Sequence, residues 1–387
     1  SGTVHNFSLH DRRVQVDPKL GRVVSTHRGE SDRFIFFIHD LHCNYEVQSN
    51  IAAILEAQAD RHGLRLIGIE GESDALNVDK LATFPLAEVR EATGQYFLRR
   101  GRITGPEYLA AMGGLDVELE GIEDQTLYDD NKNTLLQFLN EESQGYCEDL
   151  RSALDRLKRP LYTVELAKLD HLRQEYEYEN VTLETYAGKL LGEAKRQGIA
   201  LDDFPMLRLL AAEGRLPLST EADLDKLHRD VDAMVRAVKE RLYTSPDQRK
   251  LDEYLRNIDI IESLVSISAT AEELTYYRRH RESFSILNLV NFIDNLCYRN
   301  AMNNQLDPGV MKLEDYVKQA AKFYRVADER SDAFVTNLLD RMTREGTDVG
   351  AMIIGGFHAE EVEAALQAKE VSYVSIKPRV TRTYVEN

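Results

Sequence analysis

Five ionisable side chains follow three short apolar runs of this sequence. His39 and His42 follow the first run, Glu70 and Glu72 follow the second, and His358 follows the third, near the C-terminus. Imidazole and carboxylate groups together can hold a divalent metal ion or exchange protons with a substrate. If the three runs are neighbouring strands of one sheet, these side chains meet in one crevice and form a candidate site.

The three apolar runs are typical of buried parallel strands. We predict strands at 34–39, 65–69 and 351–354, because each run is short, mostly apolar and ends abruptly at ionisable residues. In an open α/β sheet, ligands bind outside the carboxyl ends of the strands. The predicted fold class is therefore α/β, with a Rossmann-like, mainly parallel sheet.

A helix is predicted directly after the first strand. It should run from Tyr45 to His62 and end at Gly63, a typical C-terminal stop. The free amides of its first turn would point toward the same crevice and favour negative charge there. Glu46 lies on that first turn, where it could be a ligand, a general base or simply a carboxylate suited to a helix start.

The order of the predicted elements divides the chain into three parts. Residues 1–130 should form the N-terminal part of the α/β domain, beginning with a β-hairpin or edge meander between Val4 and Val24. Helical periodicity dominates residues 131–346, for which we expect antiparallel helix packing. Residues 347–387 return to the α/β pattern. We therefore predict a sheet that is split by a large all-helical insertion.

Composition excludes several classes of protein. The net charge of −18 argues against nucleic acid as a partner, because binding it requires a basic face. No apolar run approaches the roughly 20 residues of a membrane span. The three cysteines, with no CxxC spacing, exclude a dense disulfide framework. The opening Ser1-Gly2-Thr3 resembles an expression-tag remnant, so export with removal of a signal peptide stays open.

The motif pattern resembles the superfamily of the Tiki/TraB proteases, the erythromycin esterases and the ChaN haem-binding lipoproteins. The segment Gly355-Gly356-Phe357-His358 fits its C-terminal Gly-x-x-His motif, and Glu70 fits the glutamate that ends a strand. The segment His39-Asp40-Leu41-His42 fits the first such motif, with His39 in place of glycine. Glu329-Arg330 looks like the Glu-Arg pair that opens the helix before the last motif. The resemblance covers the two α/β ends and implies a metal-assisted or His/Glu-assisted hydrolase.

Three functions are compatible with these residues. The first is hydrolysis of an amide or ester bond in a small molecule or peptide. His42, Glu70 and His358 would then bind a divalent metal that activates water. Glu46 or Glu72 would take the proton, and His39 would assist. In a metal-free variant, His42 is the general base and Glu70 holds its tautomer. The second function is non-catalytic binding of haem or a metal, and the third is an interaction module whose helical insertion contacts a partner. The sequence leaves the oligomeric state open.

Overall fold

The computed structural model describes residues 5–9, 12–41, 44–78, 82–83, 85–112, 114–214 and 221–381. The chain divides into two compact units. The first consists of residues 1–136 and 321–387, and the second consists of residues 137–320. The candidate site lies in the first unit.

The described residues of the first unit contain a two-stranded sheet and a six-stranded sheet. The strands are β1 (His5–Leu9), β2 (Arg12–Val16), β3 (Gly21–His27), β4 (Phe34–Asp40), β5 (Leu66–Ile69), β6 (Glu118–Gly121), β7 (Val349–Gly355) and β8 (Ser372–Pro378). β1 and β2 pair antiparallel. The larger sheet has the order β3-β8-β4-β7-β5-β6 and is parallel except for β3. The fold is thus mixed α/β with one mostly parallel sheet, as predicted.

The helices alternate with these strands, and they are the only regular secondary structure among the described residues of the second unit. Besides three short 3₁₀ turns, they are α1 (Tyr45–His62), α2 (Ala87–Arg99), α3 (Gly105–Met112), α4 (Gln125–Phe138), α5 (Glu141–Leu161), α6 (Val164–Glu177), α7 (Leu183–Arg196), α8 (Pro205–Glu213), α9 (Glu221–Leu242), α10 (Pro246–Val265), α11 (Ala271–Arg279), α12 (Ile286–Arg299), α13 (Leu313–Glu345) and α14 (Ala359–Ala368). None of the helices in the described residues combines the length and apolar composition that crossing a membrane requires.

Helices cover both faces of the six-stranded sheet, which is why its central strands are apolar on both sides. Phe36 and Ile38 of β4 point to one face and pack with Ile51 of α1. Phe37 points to the other face, where it belongs to a cluster that contains Phe334 of α13 and residues of α14. Such two-sided burial produces continuous apolar strands instead of alternating ones.

The chain leaves the neighbouring strands β4 and β7 toward opposite faces of the sheet. After β4 it enters α1, which packs on the face of Ile38. After β7 it enters α14, whose Val362 and Leu366 pack on the face of Phe37. Such a reversal opens a crevice at the carboxyl ends of the two strands, where α/β proteins bind their ligands. The sequence motifs after β4 and β7 therefore lie at the topological switch point of the sheet.

One local expectation needs correction. Glu329 and Arg330 do not open a helix, because they lie well inside α13, which begins at Leu313. No proline or glycine interrupts that stretch, so nothing in the sequence ends the helix earlier. A turn lies around Asp17–Gly21. It leads from β2 to β3, and β3 joins the edge of the larger sheet by pairing with β8.

Candidate active site

Glu70 lies directly after β5 and is held in place by the neighbouring strand. Its backbone amide donates to the carbonyl of Ile353 at 3.2 Å, which extends the pairing of β5 with β7 by one residue. Its Oε2 accepts a hydrogen bond from the backbone amide of Gly355 at 2.7 Å. Gly71 then turns the chain away with a φ of 87°, a conformation that glycine adopts without strain. The carboxylate is thereby fixed at the carboxyl edge of the sheet, with 14% of its side chain exposed.

His358 ends the short 3₁₀ turn that follows β7, and its ring is almost fully enclosed. Nε2 lies 3.6 Å from Oε1 of Glu70, and Nδ1 lies 2.8 Å from the hydroxyl oxygen of Ser331 on α13. The rings of Phe334 and Phe357 meet the imidazole edge to face, with centroids at 5.2 and 5.1 Å. The structure therefore brings Glu70 and His358 together, as the strand-end pattern indicates.

His358 is neutral at physiological pH. Burial of the ring and the positive charge of Arg330 lower the pKa of His358 to about 3, against the opposing effect of a hydrogen bond with the backbone of Ala327. The contact between His358 and Glu70 is therefore not an ion pair near pH 7. A neutral imidazole has one nitrogen that donates and one that accepts, and it can orient a water or a substrate group.

Arg330 supplies the positive charge of the site and is anchored on two sides. Its Nε and Nη2 donate to the two carboxylate oxygens of Glu123 at 3.1 and 2.7 Å, and the Glu123 side chain is fully buried. Its Nη1 lies 3.3 Å from the amide oxygen of Asn131, in the amide orientation that satisfies both of that residue's polar atoms. The guanidinium lies over the ring of Tyr128, 5.3 Å from its centroid, and 5.5 Å from that of Phe334.

Arg330 also reaches the carboxylate of Glu70. Its Nη2 is 3.6 Å from Oε1 of Glu70, the same oxygen that lies 3.6 Å from Nε2 of His358. A guanidinium held by a fork of two hydrogen bonds keeps a fixed direction. A neutral imidazole and a fixed cation thus lie beside one carboxylate oxygen of Glu70, which can accept a hydrogen bond.

The other candidates named from the sequence have different partners or lie elsewhere. Nε2 of His39 is 2.8 Å from the hydroxyl of Ser375 on β8, and burial lowers the pKa of His39. Glu46 accepts hydrogen bonds from the backbone amide and the hydroxyl of Thr381 at 2.8 and 2.9 Å. Glu72 is exposed. His42 lies outside the described residues, so its convergence with Glu70 and His358 stays a prediction.

Neither glycine of the pair before His358 is packed too tightly for a Cβ atom. A Cβ atom at Gly355 would lie 3.4 Å from Oε2 of Glu70, an ordinary contact distance, and one at Gly356 would meet open space. Packing within the protein therefore does not require either glycine. What matters at Gly355 is its amide group, which any residue except proline would supply.

The described residues alone do not fit a divalent metal. Within them, no group of three or more histidine, cysteine, aspartate or glutamate side chains is placed to hold one. Glu70 and His358 offer two donor atoms, but the guanidinium of Arg330 lies 3.6 Å from the same oxygen of Glu70. A fixed positive charge at that distance repels a second cation. The predicted site of His42, Glu70 and His358 depends on a residue outside the described range and stays a prediction.

Sequence reasoning missed part of the surroundings of the site. Glu123 is the main partner of Arg330, although the sequence shows it only as one of two carboxylates after β6. Ser331 and Asn131 were not candidates at all. Neither residue has a local signal, because their contacts come from helix faces far away in the sequence.

Comparison of the chain with protein-family models, with curated proteins and with solved structures gives no match.

Proposed function

We propose that this protein is a hydrolase of amide or ester bonds, with its reaction centre at Glu70, His358 and Arg330. The observation that carries the proposal is that His358 and Arg330 both lie 3.6 Å from Oε1 of Glu70 at the switch point of the sheet. Ion pairs that only stabilise a fold do not need a neutral histidine beside them. In hydrolysis by water, an acceptor can take the proton, an imidazole can orient the water and a fixed cation can stabilise the developing negative charge.

In the proposed reaction, a water molecule hydrogen-bonds to Oε1 of Glu70 and Nε2 of His358. Its oxygen attacks the carbonyl carbon of the substrate while its proton passes to Glu70. Arg330 stabilises the negative charge that develops on the carbonyl oxygen. The tetrahedral intermediate then expels the amine or alkoxide, which takes the proton from Glu70. A histidine with a pKa of about 3 is a weak base, so we assign to His358 the orientation of the water and to Glu70 the proton.

Sequence-based roles for the remaining candidates stay predictions beside this scheme. His42 could act as a base or as a ligand, and Glu46 or Glu72 could take a proton. Two further alternatives are metal-assisted hydrolysis and the binding of haem or a metal for carriage. Elemental analysis and an absorption spectrum of the purified protein distinguish both from the metal-free scheme. A bound haem would give a coloured protein.

For the fold we infer a Rossmann-like domain interrupted by one helical insertion. Support comes from the switch point between β4 and β7 and from the compact, helical character of residues 137–320. The sheet order differs from the usual doubly wound one, because β7 separates β4 from β5. Hydrogen exchange tests this inference, since an inserted unit should exchange its amides with a stability of its own.

The hydrolase proposal is tested by an activity screen with matched variants. Nitrophenyl esters of short and long acids and aminocoumarin amides of peptides cover both bond types. We expect turnover of at least one substrate class, with a loss of about 100-fold or more in Glu70→Gln. Glu118→Gln is the control, because it changes an exposed carboxylate at the opposite end of the neighbouring strand β6. Equal activity of wild type and Glu70→Gln would overturn the assignment.

A further inference from the structure

The imidazole of His358 is held at its Nδ1 atom by α13. The hydroxyl oxygen of Ser331, a residue only 1% exposed, lies 2.8 Å from Nδ1. The same hydroxyl lies 3.0 Å from the backbone carbonyl oxygen of Ala327, one turn earlier in the helix. Ser331 thus stands between a carbonyl and a ring nitrogen.

These contacts decide which ring nitrogen carries the proton. A carbonyl oxygen can only accept, so the hydroxyl of Ser331 donates its hydrogen to Ala327. The hydroxyl oxygen then accepts from His358, which requires a hydrogen on Nδ1.

The opposite side of the ring then presents an acceptor to the site. A neutral imidazole with a hydrogen on Nδ1 has a lone pair on Nε2. Nε2 faces Oε1 of Glu70 at 3.6 Å, so two acceptors face each other. A group that donates to both can bridge them, and a water molecule or a substrate hydroxyl is such a group.

We propose that Ser331 is a positioning residue that fixes His358 in the tautomer with hydrogen on Nδ1, so that Nε2 accepts a hydrogen bond from the attacking water. The catalytic consequence rests on the proposed hydrolase function, whereas the tautomer itself does not. Ser331 touches neither substrate nor water in this scheme. It acts through the orientation and the proton position of His358.

Nitrogen-15 NMR of the full-length protein tests the tautomer. The wild type should give a protonated, pyrrole-type signal for Nδ1 of His358 and an unprotonated, pyridine-type signal for Nε2. In Ser331→Ala, part of the population should change to hydrogen on Nε2. Ser375→Ala is the matched control, because it removes the hydroxyl beside His39 and should change the signals of His39 alone.

Kinetics of the same variants distinguish failure of this inference from failure of the proposed function. With a hydrolysed substrate, Ser331→Ala should lower kcat about 5- to 10-fold, the loss of one hydrogen bond, with little change in KM. Ser331→Thr, which keeps the hydroxyl, should restore most of the rate. Altered tautomer signals without any hydrolase activity would support the inference and refute the hydrolase. A protonated Nε2 in the wild type, or unchanged signals in Ser331→Ala, would overturn the inference, and the wild-type spectrum alone identifies the tautomer even if the variants do not fold.

Discussion

The carboxylate of Glu70 accepts a hydrogen bond from the backbone amide of Gly355 across 285 positions of sequence, at 2.7 Å. The bond joins the ends of β5 and β7 and leaves the other carboxylate oxygen toward His358 and Arg330. The side chain of Glu70 therefore has a structural contact with Gly355 and also belongs to the candidate site. Substitutions of Glu70 can separate these two roles.

Substitution of Glu70 by glutamine or alanine should affect stability differently. Glutamine keeps an oxygen that can accept a hydrogen bond from Gly355. The free energy of unfolding of Glu70→Gln should therefore differ from that of the wild type by no more than about 1 kcal/mol. Alanine leaves this amide without its acceptor and removes the carboxylate beside Arg330, so it should lower the free energy of unfolding by about 1–3 kcal/mol. Urea unfolding followed by circular dichroism measures both values. An alanine variant as stable as the wild type would show that the contact with Gly355 contributes nothing.

The low pKa of His358 predicts a loss of stability in acid. Its pKa is about 3 in the folded protein, below the value of about 6.5 of an unfolded chain. The unfolded state therefore binds the proton first as the pH falls. This contribution to stability is complete above about pH 6.5 and is lost between there and about pH 3, at about 1.4 kcal/mol per pH unit.

Replacing the histidine should remove that pH dependence. When the pH falls from 7 to 5, the free energy of unfolding of the wild type should decrease. The decrease should be about 2 kcal/mol smaller in His358→Gln. His171→Gln, which changes an exposed histidine, should keep the wild-type slope. Equal slopes of the unfolding free energy against pH in the wild type and His358→Gln would contradict a lowered pKa of His358.

Removing only one partner of the Arg330–Glu123 ion pair should destabilise the protein. Arg330→Ala leaves the fully buried carboxylate of Glu123 without its cation, which should destabilise the protein by about 3–5 kcal/mol. Replacing both residues, as Arg330→Met with Glu123→Leu, should recover much of this loss because no buried charge remains. Denaturant unfolding tests the recovery, and turnover should stay low in the double variant. A double variant less stable than Arg330→Ala would contradict this description of the pair.

The charge of Arg330 leads to a prediction on metal content. Because its guanidinium lies 3.6 Å from the carboxylate oxygen that would bind the ion, we expect less than stoichiometric zinc, manganese or iron in the purified protein. Activity should survive dialysis against a chelator. One equivalent of a metal that is lost in His42→Ala would instead support the metal site predicted from the sequence.

The strands and the pairing of Glu70 with His358 could be predicted because their signal is local. Apolar runs such as 351–354 end at ionisable residues, and parallel strands in one sheet bring their carboxyl ends to one edge. Both residues follow central strands of the sheet, so little else was needed to place them together. The confirmed end of α1 at Gly63, with a φ of 66°, is equally local.

Contacts made by helix faces could not be predicted in this way. Arg330 lies within α13, and nothing in the adjacent sequence indicates that its guanidinium meets Glu123, 207 positions earlier. Glu46 suited a helix start, but its hydrogen bonds go to Thr381 near the C-terminus. Such partners depend on how helices and termini pack on the sheet, and one sequence carries no periodic signal for that.

The joint action of Glu70 and His358 on one water is tested most directly by a double-mutant cycle on kcat/KM. Glu70→Gln and His358→Gln should each lower kcat/KM by about 100-fold or more. The double variant should be no slower than the slower single variant, because residues that act as one unit have non-additive effects. Losses that multiply in the double variant, or wild-type turnover in either single variant, would contradict a shared site.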